Sequence, residues 1–301
     1  DEFVTTTLSR RAVSFIESSK DQPWFLYLTM FAVHTPIQAK KDLLDKYESK
    51  TPGRLHHNAK MATMIQAVDD GVGRIVTKLE ELGLTNQTAI VFFSDNGGYG
   101  PATDMAPLKG YKGAYYEGGI REPFFVKWPG VVEAGTINET HIIGVDLYPT
   151  FLEMTGATAK DGQVQDGLNL VPLFKGGTFS ERSLFWHFPA YLQSYGGKGP
   201  FEQRDPLFRS RPVGVVRHGD WKLMEFFESG DLELYNLKQD IGESRNLADA
   251  HPETLRKLHG IMKEWRQKTG APIPSDRNPS FDPVAEKQAI EKALALRKSF
   301  P

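Results

Sequence analysis

Asp95 and Asn96 stand at the end of the apolar run Thr88 to Phe93 and open a Gly97-Gly98 turn. A carboxylate and an amide oxygen side by side suit a hard cation such as Ca²⁺ or Mg²⁺. The same residues also suit a plain Asp-Asn-Gly turn, in which the side chains only cap backbone groups. Basic residues come next, within the glycine-rich string Lys112-Gly-Ala-Tyr-Tyr-Glu-Gly-Gly-Ile-Arg-Glu-Pro123. His34 comes just after a second apolar run, Trp24 to Phe31. With an ordinary pKa of about 6.5, a histidine there can donate a hydrogen bond or a proton to an oxygen, or simply serve the structure.

These residues need elements to hold them. Thr88–Phe93 and Trp24–Phe31 have the near-continuous apolar character of strands covered on both faces, as in a parallel sheet, and the carboxyl ends of such strands are where ligands sit. Pro123–Trp128 reads as a further strand. Thr5–Ser18 and His57–Leu82 carry apolar residues at helical spacing, the second ending at Gly83, and Val145–Gly156 reads as a helix with a glycine stop. Gly71 and Gly73 are costly inside a helix, so a close neighbour is expected there. Strand, helix, strand in repetition predicts an α/β fold, a mostly parallel sheet flanked by helices.

Three pairs or single residues that look like sites are assigned to structure. Asp69 and Asp70 are adjacent on a helix and so point about 100° apart. His56 and His57 lie ahead of that helix beside Arg54 and are expected in solvent. Asp146 is expected to cap its helix, with Pro149 in the first turn.

Beyond a Gly- and Asp-rich stretch at Lys160–Phe179 the pattern changes. Val213–Arg217, Asp220–Phe227 and Leu232–Leu237, separated by turn residues, predict a small antiparallel sheet. Pro252–Lys268 has the amphipathic period of a helix that covers it, and Asp282-Pro283 is expected to cap a last helix through Leu296. The long loop from Tyr191 to Pro212 is rich in Gly, Pro and Arg. Loops of that kind in compact domains are usually functional or disordered, so His187, Tyr191, Arg204, Arg209 and Arg211 form a candidate substrate-facing set, beside the plainer reading of a solvated loop with an edge-strand histidine.

Composition narrows the function classes. A net charge of -2 over 301 residues gives no electrostatic case for nucleic acid or an anionic membrane surface. No apolar run approaches the ~18 residues of a membrane-spanning helix, and the first residues, Asp1-Glu-Phe-Val, lack a signal-peptide pattern. Zero cysteines remove disulfides, thiolate metal sites and a cysteine nucleophile.

The Asp95-Asn96 strand end, the Lys112–Pro123 string, and Phe-Leu-Tyr-Leu with His34-Thr-Pro after it together resemble the sulfatase family of the alkaline-phosphatase superfamily. The resemblance runs from about Thr5 to Gly270 and includes Asp220-Trp-Lys and Leu234-Tyr-Asn-Leu. It implies that Asp95 and Asn96 bind Ca²⁺ (or Mg²⁺), and that Lys112 and His34 contact the sulfate and serve catalysis. Arginines near aromatic rings would suit a sulfated sugar, through forked hydrogen bonds and stacking. The family's nucleophile is a formylglycine made within Cys/Ser-x-Pro-x-Arg. No such motif occurs here; the nearest string, Ser210-Arg-Pro-Val-Gly, lacks the final arginine.

The expectation is therefore an alkaline-phosphatase-like α/β fold, incomplete at the N-terminus. Residues 1–175 would be the C-terminal portion of the catalytic domain, and 176–301 a subdomain with the small sheet and its helix. The implied activity is sulfuric ester hydrolysis on a sulfated saccharide or aryl sulfate, with the missing N-terminal segment of the same enzyme as partner and little turnover by this chain alone. A periplasmic or secreted location is implied by the same resemblance. Two alternatives stay open: a phosphatase or phosphodiesterase of the superfamily, which would place a His beside the strand-end Asp, and a non-catalytic protein that binds sulfated glycans.

Overall fold

The structure is a computed structural model that describes residues 3–195, 204–276 and 278–298. The chain divides into two compact units, Asp1–Phe93 with Pro123–Thr178, and Ser94–Glu122 with Phe179–Pro301. The second boundary falls close to residue 175, but Ser94–Glu122, with Asp95, Asn96 and the lysine string, groups with the C-terminal residues.

In the first unit, helix α1 (Val4–Ser19) packs on α3 (Ala59–Glu81), and α2 (Lys41–Glu48) packs on α3 as well. Asn58 starts α3 by accepting a hydrogen bond from the Met61 amide at 3.0 Å, and Gly83 ends it with φ 69°. A Cβ on Gly71 would lie 3.2 Å from Cβ of Ser9 on α1, which accounts for that glycine; nothing comparable surrounds Gly73. Arg74 donates to the Ser9 hydroxyl at 3.0 Å, and Lys78 pairs with Glu17 at 2.9 Å, so polar contacts fix the same helix pair.

Strands β1 (Ile90–Phe93) and β2 (Phe124–Lys127) pair antiparallel, Ile90 opposite Lys127 and Phe93 opposite Phe124. Trp24–Phe31 is extended but belongs to no ladder, and every ladder among the described residues is antiparallel. An apolar run reports burial potential; a strand also requires a partner edge for its backbone N–H and C=O groups. Here half-buried Trp24, Leu26, Leu28 and Met30 alternate with exposed Phe25, Tyr27 and Phe31. One face of this segment is therefore covered and the other bare.

Helix α5 (Leu147–Thr155) ends at Gly156, φ 68°, as its sequence predicts. Asp146 makes no side-chain cap to α5. Its buried carboxylate instead accepts the Ile143 amide at 2.9 Å and the Leu168 amide at 2.8 Å, which ties the loop before the short α6 (Val171–Phe174) to the helix start.

In the second unit β3 (Ser183–Phe188), β6 (Val213–His218), β7 (Trp221–Phe226) and β8 (Leu232–Asn236) form an antiparallel sheet in the order β3-β6-β7-β8. The period of two along these strands decides what each face meets. Val216, Leu223 and Leu234 pack under Leu258 and Met262 of α7 (Pro252–Thr269). Burial of side chains of this size stabilises by roughly 1.5–3 kcal/mol each. Val213, Val215, Met224, Phe226 and Tyr235 form a second cluster with Ala114 and Tyr116. The glycine-rich string is thus a layer of this unit's core. The short β4 (Leu192–Gln193) pairs with β5 (Phe208–Ser210), and Asp282 caps α8 (Pro283–Lys298) by accepting the Val284 amide at 2.8 Å. No helix among the described residues is long and apolar enough to cross a membrane.

Candidate functional site

Close backbone approach builds the site. The Gly97 amide donates to the Gly119 carbonyl at 3.0 Å, and a Cβ on Gly97 would stand 1.9 Å from the Gly118 oxygen, so only glycine fits. The Lys112 amide donates to the Gly98 carbonyl at 3.0 Å, and the Gly118 amide to the Lys109 carbonyl at 2.8 Å. Helix α4 (Glu117–Ile120), a single turn, thus lies against the Asp95-Asn96 turn, with Lys112 hydrogen-bonded to the end of that turn.

Asp95 is exposed, and the Asn96 amide donates to its carboxylate. The two side chains are thus in contact, and a carboxylate with an amide oxygen is a donor set that suits a hard cation. Among the described residues no group of three or more His, Cys, Asp or Glu gathers into a metal cluster. The pair can supply two of the 6–8 oxygens that Ca²⁺ takes.

Two lysines three positions apart have different surroundings. The Lys109 ammonium sits 4.1 Å from the Tyr116 ring centroid and 5.5 Å from that of Tyr235, and donates to the Glu243 carbonyl at 3.3 Å. It holds the string to the sheet. Among the described residues no carboxylate pairs with Lys112, whose side chain is half-buried.

Sequence reasoning misses Glu122, whose only signal is its place two residues after Ile120 in the string. Burial pushes its carboxyl up to about 7, against a hydrogen bond with Ser94 that lowers it and with the charge of Asp95 raising it further. Among the described residues its buried Oε1 has no hydrogen-bond partner. Below the ordinary value of 4.5 both folded and unfolded states keep the proton. From there to about pH 7 only the folded state keeps it, so stability falls as pH rises, and above that the full cost of the buried charge applies. Glu122→Gln, which resembles the protonated form, should raise Tm relative to the parent chain by an amount that grows between pH 4.5 and 7 and then levels off. Scanning calorimetry in EDTA measures this, and a difference independent of pH would contradict it.

The remaining sequence-derived candidates have varied surroundings. His34 belongs to the first unit, is exposed, and its Nδ1 is 2.9 Å from the Thr35 carbonyl. Arg204 pairs with Asp231 and with Glu233 at 2.5 Å, its guanidinium over the Phe226 ring. Arg211 is held by three carboxylates, Asp205, Glu228 at 2.6 Å and Glu286 at 2.8 Å. His187 Nε2 donates to the Pro272 carbonyl at 2.7 Å. Tyr191 is 49% exposed, packs on Phe208 and bonds to Glu228. Part of the Tyr191–Pro212 loop, residues 196–203, lies outside the described residues.

Arg209 differs from the other two arginines. Among the described residues it has no carboxylate partner. Its Nη1 donates to the Tyr195 hydroxyl at 2.6 Å and reaches the Lys112 carbonyl at 3.4 Å, and Nε donates to the Gln193 carbonyl at 2.8 Å. Tyr195 in turn stacks on Tyr111 and meets Tyr99 edge-on at 4.9 Å. This arginine and its tyrosines therefore border the backbone that carries Asn96 and Lys112.

A family model described as Sulfatase matches residues 3–157, half of the chain. The chain belongs to the sulfatase family. A second model, N-sulphoglucosamine sulphohydrolase, C-terminal, matches residues 111–268 of this sulfatase chain. A protein named Sulfatase from Formosa agariphila is 32% identical over 97% of the chain and 55% of its own length. Human arylsulfatase H is 32% identical over 62% of the chain and 34% of its own length. Among solved structures, Ps i-CgsB in complex with k-i-k-neocarrahexaose superposes with TM-score 0.73 at 29% identity, over 97% of this chain and 60% of that one. The fold is thus the α/β fold of the sulfatases, and this chain spans about half the length of the relatives it matches.

Proposed function

We propose that this chain carries the cation pair and sulfate-binding lysine of a sulfuric ester hydrolase acting on a sulfated carbohydrate or an aryl sulfate. The observation that carries the reading is Lys112: its amide is bonded to the Asp95-Asn96 turn at Gly98, while its ammonium has no described carboxylate partner. An ammonium without a described carboxylate partner, carried on backbone bonded to a turn that bears oxygen donors, would suit a sulfate monoester. The names of the relatives support the same chemistry: they are sulfatases and arylsulfatases, and the solved complexes include one with D-Glucosamine-2-N, 6-O-disulfate.

Asp95 and Asn96 are the residues that would hold Ca²⁺ or Mg²⁺, which when bound offsets charge on the sulfate oxygens. Lys112 directs N–H donors at the oxygen bridging sulfur to carbon and stabilises the negative charge that grows there as the S–O bond breaks. His34 is the residue proposed to give that oxygen its proton, so that the alcohol leaves neutral. Arg209 is the member of the substrate-facing set best suited to a second anionic group; Arg204 and Arg211 already have acids to neutralise. A formylglycine would supply the attacking oxygen, and this chain has no motif to make one. The partner proposed is the part of the enzyme that the relatives have beyond the matched region, with a periplasmic or secreted location.

The test is cation dependence. In the enzyme completed with a nucleophile-bearing segment, 1 mM CaCl₂ should raise Tm, and EDTA should abolish sulfate release from an aryl sulfate. A cation at about 100 times its Kd stabilises by roughly 2.7 kcal/mol. Asp95→Ala should remove both effects. Sulfate release that is indifferent to EDTA and to Asp95→Ala would overturn the reading.

A further inference from the structure

Lys222 on β7 is fully buried, and it meets two buried glutamates from distant parts of the second unit. Its ammonium is 3.1 Å from Oε1 of Glu117 and 2.8 Å from Oε1 of Glu243, at 0% exposure for the lysine and 0–1% for the acids. The other oxygen of Glu243 accepts the Glu117 amide at 2.6 Å. Arg217 and Arg121 each approach Oε2 of Glu117 at 3.4 Å. Burial pushes the Glu243 carboxyl up against the pull of Lys222, and the two guanidinia add positive charge beside Glu117.

Ionic groups so deeply buried cost several kcal/mol each to desolvate, and their mutual attraction does little more than repay that cost. A well-packed apolar replacement would hold the sheet as well. What the ions add is direction: the lysine has three donors and the carboxylates fixed acceptors, so the ion pairs constrain how the three chain segments are placed. Burial alone would raise the carboxyl of Glu117, but Lys222 and Arg217 outweigh it and hold it below the ordinary range.

The placement of Glu117 matters because of its chain neighbours. Gly118 and Gly119 are the residues whose backbone touches Gly97, with no room for a Cβ between them. A continuous path therefore runs from the core of the sheet through Lys222 and Glu117 to Gly118-Gly119, and from there to the turn bearing Asp95 and Asn96. On the other side of Gly118, its amide holds the Lys109 carbonyl, three residues before Lys112.

We infer that Glu117, Lys222 and Glu243 are positioning residues that fix the Asp95-Asn96 turn and Lys112 relative to the C-terminal sheet. Their functional meaning rests on the assignment of that turn and lysine to the cation and sulfate. They touch neither ligand nor reacting atoms themselves.

The test separates position from stability. In the charge-free variant Glu117→Gln/Lys222→Met/Glu243→Gln of the full chain, amide hydrogen exchange monitored by NMR should be at least 10-fold faster at Gly97, Lys112 and Gly118. Exchange at Val215, Val216 and Leu223, in the centre of the sheet, should change by less than about threefold, since apolar packing there is intact. Unchanged exchange at Gly97 and Lys112 in a folded variant, or a uniform rise at all six amides, would overturn the inference. Glu243→Gln alone keeps the Glu117–Lys222 pair and guards against a triple variant that does not fold. It should speed exchange at Glu117 and Gly118 selectively, and no local change would likewise overturn the inference. A CaCl₂ titration of the parent chain, read at Asp95 and Asn96, tests the cation assignment separately, because the exchange result does not depend on it.

Discussion

Lys112→Ala should lower kcat/KM for an aryl sulfate by about 10²–10³-fold in the completed enzyme while leaving Tm within a degree or two. That loss corresponds to the removal of one preorganised donor at a developing oxyanion, roughly 2.7–4 kcal/mol. The small effect on stability has a structural cause: no described carboxylate pairs with Lys112, so truncation leaves no buried charge without its partner. Lys109→Ala should do the reverse. It removes the cation from the faces of Tyr116 and Tyr235 and a donor from the Glu243 carbonyl, contacts worth about 1–3 kcal/mol together. Its kcat/KM should fall less than tenfold at a temperature where it is folded. Steady-state kinetics beside thermal melts of the two variants would check this, and equal effects of both on activity would remove the special role assigned to Lys112.

The second large effect concerns the chain by itself. Purified alone, the 301-residue polypeptide should release no measurable sulfate from an aryl sulfate, with kcat lower than that of the completed enzyme by about 10⁶-fold. The sequence has no cysteine and no Ser-x-Pro-x-Arg, and so no motif from which the formylglycine of the proposed reaction would be made. Asp95 and Asn96 offer only part of a Ca²⁺ coordination sphere, and the described residues form no larger metal cluster. The remaining groups can orient and polarise a sulfate ester, but they do not provide an attacking atom. Activity should return when the nucleophile-bearing part is supplied, either fused or as a second polypeptide. Sulfate release at an appreciable rate by the chain alone would sink the assignment of the nucleophile to another segment.

Much of the fold was legible because its signals are local. Gly83 and Gly156 end helices where the apolar period stops, Asp282 caps the last helix, and the turns at His218–Asp220 and Ser229–Asp231 separate β6, β7 and β8. Each of these depends on interactions within a few residues, which spacing and residue type reveal. The glycines of the Lys112–Pro123 string were recognisable as a pattern, though not the contact that requires them. Trp24–Phe31 shows the limit of such reading, because an apolar run without a partner edge is extended chain and not a paired strand.

The sequence by itself therefore determined the family pattern, the long helices, and the small sheet with its covering helix. Only the tertiary structure decided which charges are already neutralised. Arg211 meets Glu286 75 residues away, Arg204 meets Glu233 29 residues away, and Lys222 meets Glu117 105 residues away. No period or cap encodes such pairs, since they exist only once the sheet and the glycine-rich string have packed together. Lys112 and Arg209, unlike Arg204 and Arg211, meet no carboxylate among the described residues.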